Sequence, residues 1–151
     1  MGPLPSWSES FATGDPVIDA QHRDLLALVA KLDEVVTARD GGRSPYLYML
    51  DRVLEFTWTH FDMEEALMTR VAYPLADHVE MTQQHTEFKS YARIRVMEFQ
   101  FRQATELKSF APFIQNWLVE HEFGLDRRLA DFIRNTSQTV SAHAGGSDQR
   151  R

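Results

Sequence analysis

Cysteine is absent from the 151 residues. Disulfide staples, thiolate zinc sites, iron–sulfur clusters and cysteine nucleophiles are thereby excluded. Glycine and proline are scarce, at seven and six. They fall mostly in residues 2–16, 41–45 and 145–146, so the stretches between can form long elements. Strand-like alternation and β-branched runs are also lacking. No apolar run approaches the roughly 18 residues of a membrane span. The opening MGPLPSWSES lacks the basic and apolar regions of a secretory signal. Positive charge is in deficit, with a net charge of −6, which argues against a broad basic face for nucleic acid or anionic membrane. The expectation is a cytoplasmic protein with neither kind of partner.

What is present is enough for one core. Apolar residues make up 43 % of the chain, with ten Phe and three Trp, and the length suits one domain. Four stretches carry helical periodicity. The first runs from about Pro16 to Arg39, with Ile18, His22, Leu25, Val29, Leu32 and Val36 on one face, and ends at Gly41–Gly42. The second is expected to start with Ser44 as N-cap and Pro45 at the first helical position. Its stripe is Leu50, Val53, Phe56, His60, Glu64 and Leu67. The third, from about Leu75 or His78 to Phe101, aligns Met81, His85, Phe88, Ala92, Val96 and Phe99. The fourth begins near Ser109, with Pro112 in its first turn and a stripe of Ile114, Trp117, His121, Leu125, Leu129 and Phe132. These elements predict an all-α, antiparallel up-down four-helix bundle over residues 17–134, preceded by an N-terminal arm (1–16). Residues 135–151, rich in Ser, Thr, Gly, Gln and Arg, are expected to be a disordered tail.

Each of the four stripes contains one histidine: His22, His60, His85 and His121. A single core histidine is usually a packed residue with both nitrogens satisfied. Four, one per helix, need partners within the same apolar interior, and a shared ligand satisfies all of them at once. Glu64 lies four residues after His60, about 40° round the helix and roughly 6 Å along it. A carboxylate on that stripe is costly unless paired or bound to metal. Asp126 lies five residues after His121, about 140° away on an ideal helix. Either it reaches in from the edge of the stripe or the helix is locally widened. Inward carboxylates and imidazoles on facing helices are a recurring way to build a di-iron site, although nitrogen and oxygen ligation without thiolate also suits manganese or zinc.

These residues carry a family resemblance. Trp7, Thr13-Gly14 and Ile18-Asp19-Ala20-Gln21-His22 at the start, His60 through Met68 followed by Tyr73-Pro74, and Trp117 through Asp126 together resemble bacterial hemerythrins. The resemblance covers about residues 7–132. It implies two iron ions joined by an oxo or hydroxo bridge, with Glu64 and Asp126 as bridging carboxylates. One iron takes His22 and His60 and keeps an open position for dioxygen. The other takes His121 and two histidines of the third helix, and Leu118 helps to wall the oxygen pocket. The chain departs from the pattern at one ligand. His85, followed by Phe88, fits the second histidine of the third helix, but the first should stand at position 81, which is Met81. A thioether is a poor ligand for a hard, oxygen-bridged iron. His78 is the nearest substitute, yet on a continuous helix it lies about 10.5 Å along the axis from His85. It is either a ligand on a distorted helix or a loop residue.

The implied function is reversible dioxygen binding for sensing, delivery or storage, with any signalling or oxidase partner a separate protein. The alternative is a di-iron enzyme handling peroxide, nitric oxide or ferrous iron at an under-ligated iron. A third reading is a bundle that has lost metal and serves as an interaction module.

Overall fold

The computed structural model describes residues 7–38, 43–101 and 110–144. Four antiparallel helical rods, preceded by residues 7–15, make up the described part. Helix α1 spans Pro16–Thr37, α2 Arg43–Arg70 and α3 Leu75–Phe101. The fourth rod is α4, Phe110–His121, continued without a break through a π turn, Glu122–Asp126, into α5, Arg127–Ala144. None of the described helices is long and apolar enough to cross a membrane.

Local chemistry accounts for most of the boundaries. Asp15 caps α1 by accepting from the N–H groups of Val17 and Ile18, at 2.9 and 3.1 Å, with Pro16 in the first turn. The expected Ser44 cap of α2 is not observed, because the helix begins at Arg43 and Ser44 lies within it. Arg43 donates to the Phe99 carbonyl at 2.7 Å, which ties the start of α2 to the end of α3. At the far end of α2 the Tyr73 N–H donates to the Met68 carbonyl at 2.9 Å, and Ala72 takes the left-handed conformation (φ 52°) that this cap requires. Gly41, Gly42 and Ser109 lie outside the described residues. The helix expected to end at residue 134 continues to Ala144. Polar composition suggested a tail there, but Ser, Thr and Gln at the end of an established helix extend it by one hydrogen bond per residue, without a new nucleation cost.

Before α1, residues 7–15 fold back onto the bundle. Asp19 accepts from the Thr13 N–H at 2.7 Å, the Thr13 hydroxyl at 2.8 Å and the Gly14 N–H at 3.2 Å. Arg127 donates to the carbonyls of Ser10 and Ala12, and Arg134 donates to that of Thr13. Gly14 suits glycine because its φ is +90°, a conformation strained for other residues; a Cβ there would also require the Arg134 guanidinium to shift.

Two apolar cores fill the bundle. The larger includes Leu25, Leu50, Phe61, Phe88, Phe110 and Leu118. The smaller, near the α2–α3 turn, comprises Met68, Tyr73, Met81, Leu125 and Leu129. Between the residues of these cores along α2, α3 and the fourth rod lie the buried histidines and carboxylates.

Candidate metal centre

The stripes of the four rods deliver one imidazole each to the interior. His22, His60, His85 and His121 are all buried, and Glu64 and Asp126 are fully so. The π turn resolves the awkward spacing of Asp126. Hydrogen bonds in such a turn run i→i+5, so residues 121 and 126 come one turn apart on the same face.

The six side chains form a closed ring. The Nε2 atoms of His22 and His60 are 3.2 Å apart, and His60 Nε2 is 3.6 Å from Glu64 Oε1. The other Glu64 oxygen is 3.4 Å from His85 Nε2, which is 3.0 Å from His121 Nε2. His121 Nε2 is 3.2 Å from Asp126 Oδ1, and Asp126 Oδ2 is 3.2 Å from His22 Nε2. Each carboxylate thus faces one histidine pair with one oxygen and the second pair with the other. Two donor groups result, His22, His60, Glu64 and Asp126 on one side and Glu64, His85 and His121 on the other.

The far nitrogens explain how the rings are held. His60 Nδ1 is 2.8 Å from Gln21 Oε1, His85 Nδ1 is 2.9 Å from Glu65 Oε1, and His121 Nδ1 is 3.0 Å from Gln84 Oε1. Each of these oxygens accepts, so each Nδ1 carries the proton and each neutral imidazole turns the lone pair of Nε2 to the centre. Aromatic faces clamp two of the rings. Phe61 stacks on His85 at 3.9 Å and Trp117 on His121 at 4.5 Å between centroids.

Burial favours the neutral form of three of the imidazoles. It lowers the pKa of His60 to about 3 and also lowers those of His85 and His121, with the Asp126 charge opposing in each case. Burial alone would raise the Asp126 pKa, but the neighbouring His121 and a hydrogen bond from His22 lower it instead. The Nε2 lone pairs of His60, His85 and His121 thus converge with two carboxylates across 3.0–3.6 Å in a dry interior, an arrangement that a cation relieves. Hard oxygen and imidazole donors without sulfur fit iron.

The ring includes six of the residues singled out from sequence. His78 is not among them. It stands in the first turn of α3, its N–H bonded to the Pro74 carbonyl at 2.9 Å, so it is not a loop residue. It lines an open groove with Leu75, Val79 and Thr82, on a face where Leu75 and Val79 are exposed. Because α3 is continuous from Leu75, nothing turns His78 toward His85. Met81 is buried in the smaller core. Leu118 is buried one turn before His121, in the larger core. Sequence reasoning missed Gln21, Glu65 and Gln84. Each is next in sequence to a ring member yet supports the histidine of the following helix, and that adjacency was the available signal.

A buried histidine–carboxylate ring inside an antiparallel helical bundle defines a non-haem metal protein. The chain belongs to the hemerythrin family: residues 13–133 match the model of the hemerythrin HHE cation binding domain. Among similar proteins is a bacteriohemerythrin of Stenotrophomonas maltophilia, 30 % identical over 145 residues, covering 93 % of this chain and 89 % of the relative. A hemerythrin-like protein of Naegleria gruberi is 28 % identical over 127 residues, covering 82 % and 88 %. A crystal structure of hemerythrin carrying a leucine-to-tyrosine substitution shares the fold, with a TM-score of 0.77 at 23 % identity, over 86 % of this chain and 97 % of that one. The family binds iron and dioxygen, and the buried ring fits an iron site.

Proposed function

We propose that the ring holds two irons and that the chain binds dioxygen reversibly, without turning it over, for sensing, delivery or storage. The observation that carries this reading is the sharing of both carboxylates. Glu64 and Asp126 each present one oxygen to either histidine pair, the arrangement that two neighbouring cations need. His22 and His60 would hold one iron, and His85 and His121 the other. When bound, the metal pair supplies the electrons and an open coordination position for dioxygen.

The protein contributes position and dryness. Gln21, Glu65 and Gln84 fix ring tautomers, so the nitrogen donors need no reorganisation. Two carboxylates offset part of the metal charge in a medium where bulk water cannot. Phe61 and Trp117 stack on the imidazoles and help to exclude solvent, and Leu118 is buried one turn before His121. Leu118 is the residue we assign to the wall of the oxygen pocket. One feature favours the enzymatic alternative: Met81 stands one turn before His85, where a further nitrogen donor is expected, and leaves that iron with fewer ligands. Peroxide, nitric oxide or ferrous-iron chemistry would use the extra open position.

Anaerobic reconstitution with ferrous iron, followed by exposure to dioxygen, tests both readings. Two irons per chain and an oxygenated optical spectrum that reverses on removing the gas are the expected result. Fewer than one iron per chain refutes the metal reading, whereas rapid consumption of added peroxide favours the enzyme.

A further inference from the structure

The three hydrogen bonds that orient the imidazoles are not alike. Gln21 and Gln84 present neutral amide oxygens to His60 and His121. Glu65 presents a carboxylate to His85, at 2.9 Å. Its side chain is 32 % exposed, so solvent reaches it. His85 itself is buried between two acidic groups, with Glu65 on Nδ1 and Glu64 3.4 Å from Nε2.

The placement of this extra charge is not symmetric. It falls on the half of the ring that gathers three donor residues against four on the other, with Met81, one turn before His85, buried in the smaller core. An ionised carboxylate can only accept, so it draws on the Nδ1 proton and makes Nε2 a stronger electron-pair donor. An amide in the same place would accept a weaker bond and bring no charge. We propose that Glu65 is a positioning residue that compensates this half of the centre for the thioether at position 81. It does so by strengthening His85 as a ligand and adding negative charge beside the under-ligated metal. The inference rests on the two-iron reading above.

The test uses the full chain loaded anaerobically with Fe²⁺ alone. Iron per chain, the rate of iron loss to a ferrous chelator and the reduction potential are measured for the natural sequence, Glu65→Gln, Met81→His and the double substitution. Glutamine keeps an oxygen that accepts from His85 Nδ1, so only the charge is removed. Glu65→Gln should speed the loss of one of the two irons by roughly 10–100-fold and move the potential upward, because the ferric state loses a neighbouring negative charge. With Met81→His present, the same change should speed loss by a clearly smaller factor. Equal factors in the two backgrounds, an unchanged release rate or an unmoved potential each overturn the proposal, since a merely structural hydrogen bond would behave so. If Met81→His does not fold, Gln84→Glu in the Glu65→Gln background carries the comparison. A carboxylate moved to His121, on the same half, should restore iron retention, and failure to restore it overturns the proposal. Stoichiometry of the natural sequence is read first: fewer than two irons there refutes the two-iron reading and the proposal with it, whereas two irons with an insensitive Glu65→Gln refutes the proposal alone.

Discussion

At the scale of single residues, Glu64 and Asp126 matter most, because each touches both histidine pairs. Glu64→Ala or Asp126→Ala removes a shared ligand and a compensating charge together. Either should abolish stable binding of two irons while leaving the helical circular dichroism largely intact, since the apolar stripes remain. Retention of two irons per chain in either variant would contradict the assignment. His78 makes the opposite case. It stands on an exposed face of α3, outside the ring, so His78→Ala should leave the rate of iron release unchanged. A faster release would restore it as a ligand. The residue scale also shows what sequence could and could not reveal. The histidines were legible because imidazoles on four apolar stripes have no other common explanation. Glu65 was not, because a second acidic residue beside Glu64 reads as a solvated face until its carboxylate is seen 2.9 Å from His85.

Among the elements, the fourth rod and the end of α2 depart from regular helix, and both departures have local causes. The π turn Glu122–Asp126 inserts Asp126 into the ring and returns the chain to α geometry for Leu129 and Phe132. Its presence was one of two geometric alternatives raised by the five-residue spacing, and only the packed interior selects it. At the end of α2, Ala72 occupies a left-handed conformation that favours glycine. A Cβ there costs about 1–2 kcal/mol. Ala72→Gly should therefore raise the unfolding free energy by about 0.5–1 kcal/mol, part of the relief being lost to the greater freedom of glycine in the unfolded chain. Chemical denaturation measures it, and a decrease in stability would show that Ala72 is not strained.

For the whole molecule, the polar ring is a liability until it is filled. In the metal-free protein, burial holds His60 far below its ordinary value of 6.5, at about 3, and lowers His85 and His121 as well. Above pH 6.5 both folded and unfolded histidines are neutral and titration contributes nothing. As pH falls below 6.5, the unfolded chain takes up protons that the folded His60 refuses until about pH 3. Asp126, whose pKa is lowered on folding, acts in the same direction at still lower pH, because its protonation also favours the unfolded chain. The melting temperature of the metal-free protein should thus fall steadily from about pH 6.5 downward. Thermal scans across that range check this, and a flat profile would show that the histidines are not buried neutral.

The sequence alone determined the bundle and the composition of the ring. Helical periodicity and scarce glycine and proline leave few other ways to bury the stripes, and a histidine on each stripe must then face inward. It also exposed the anomaly at Met81, which is a matter of residue identity. Only the tertiary structure decided which atoms meet. A one-dimensional pattern says which face a residue occupies, but not which neighbouring rod supplies the partner for its far nitrogen. That choice depends on the axial offset between helices, which places Gln21 on His60, Glu65 on His85 and Gln84 on His121. The same holds for residues 135–144. Their composition favours a tail, and their helical state follows from continuing a rod already anchored by Leu129 and Phe132, for which each further hydrogen bond needs no new nucleus.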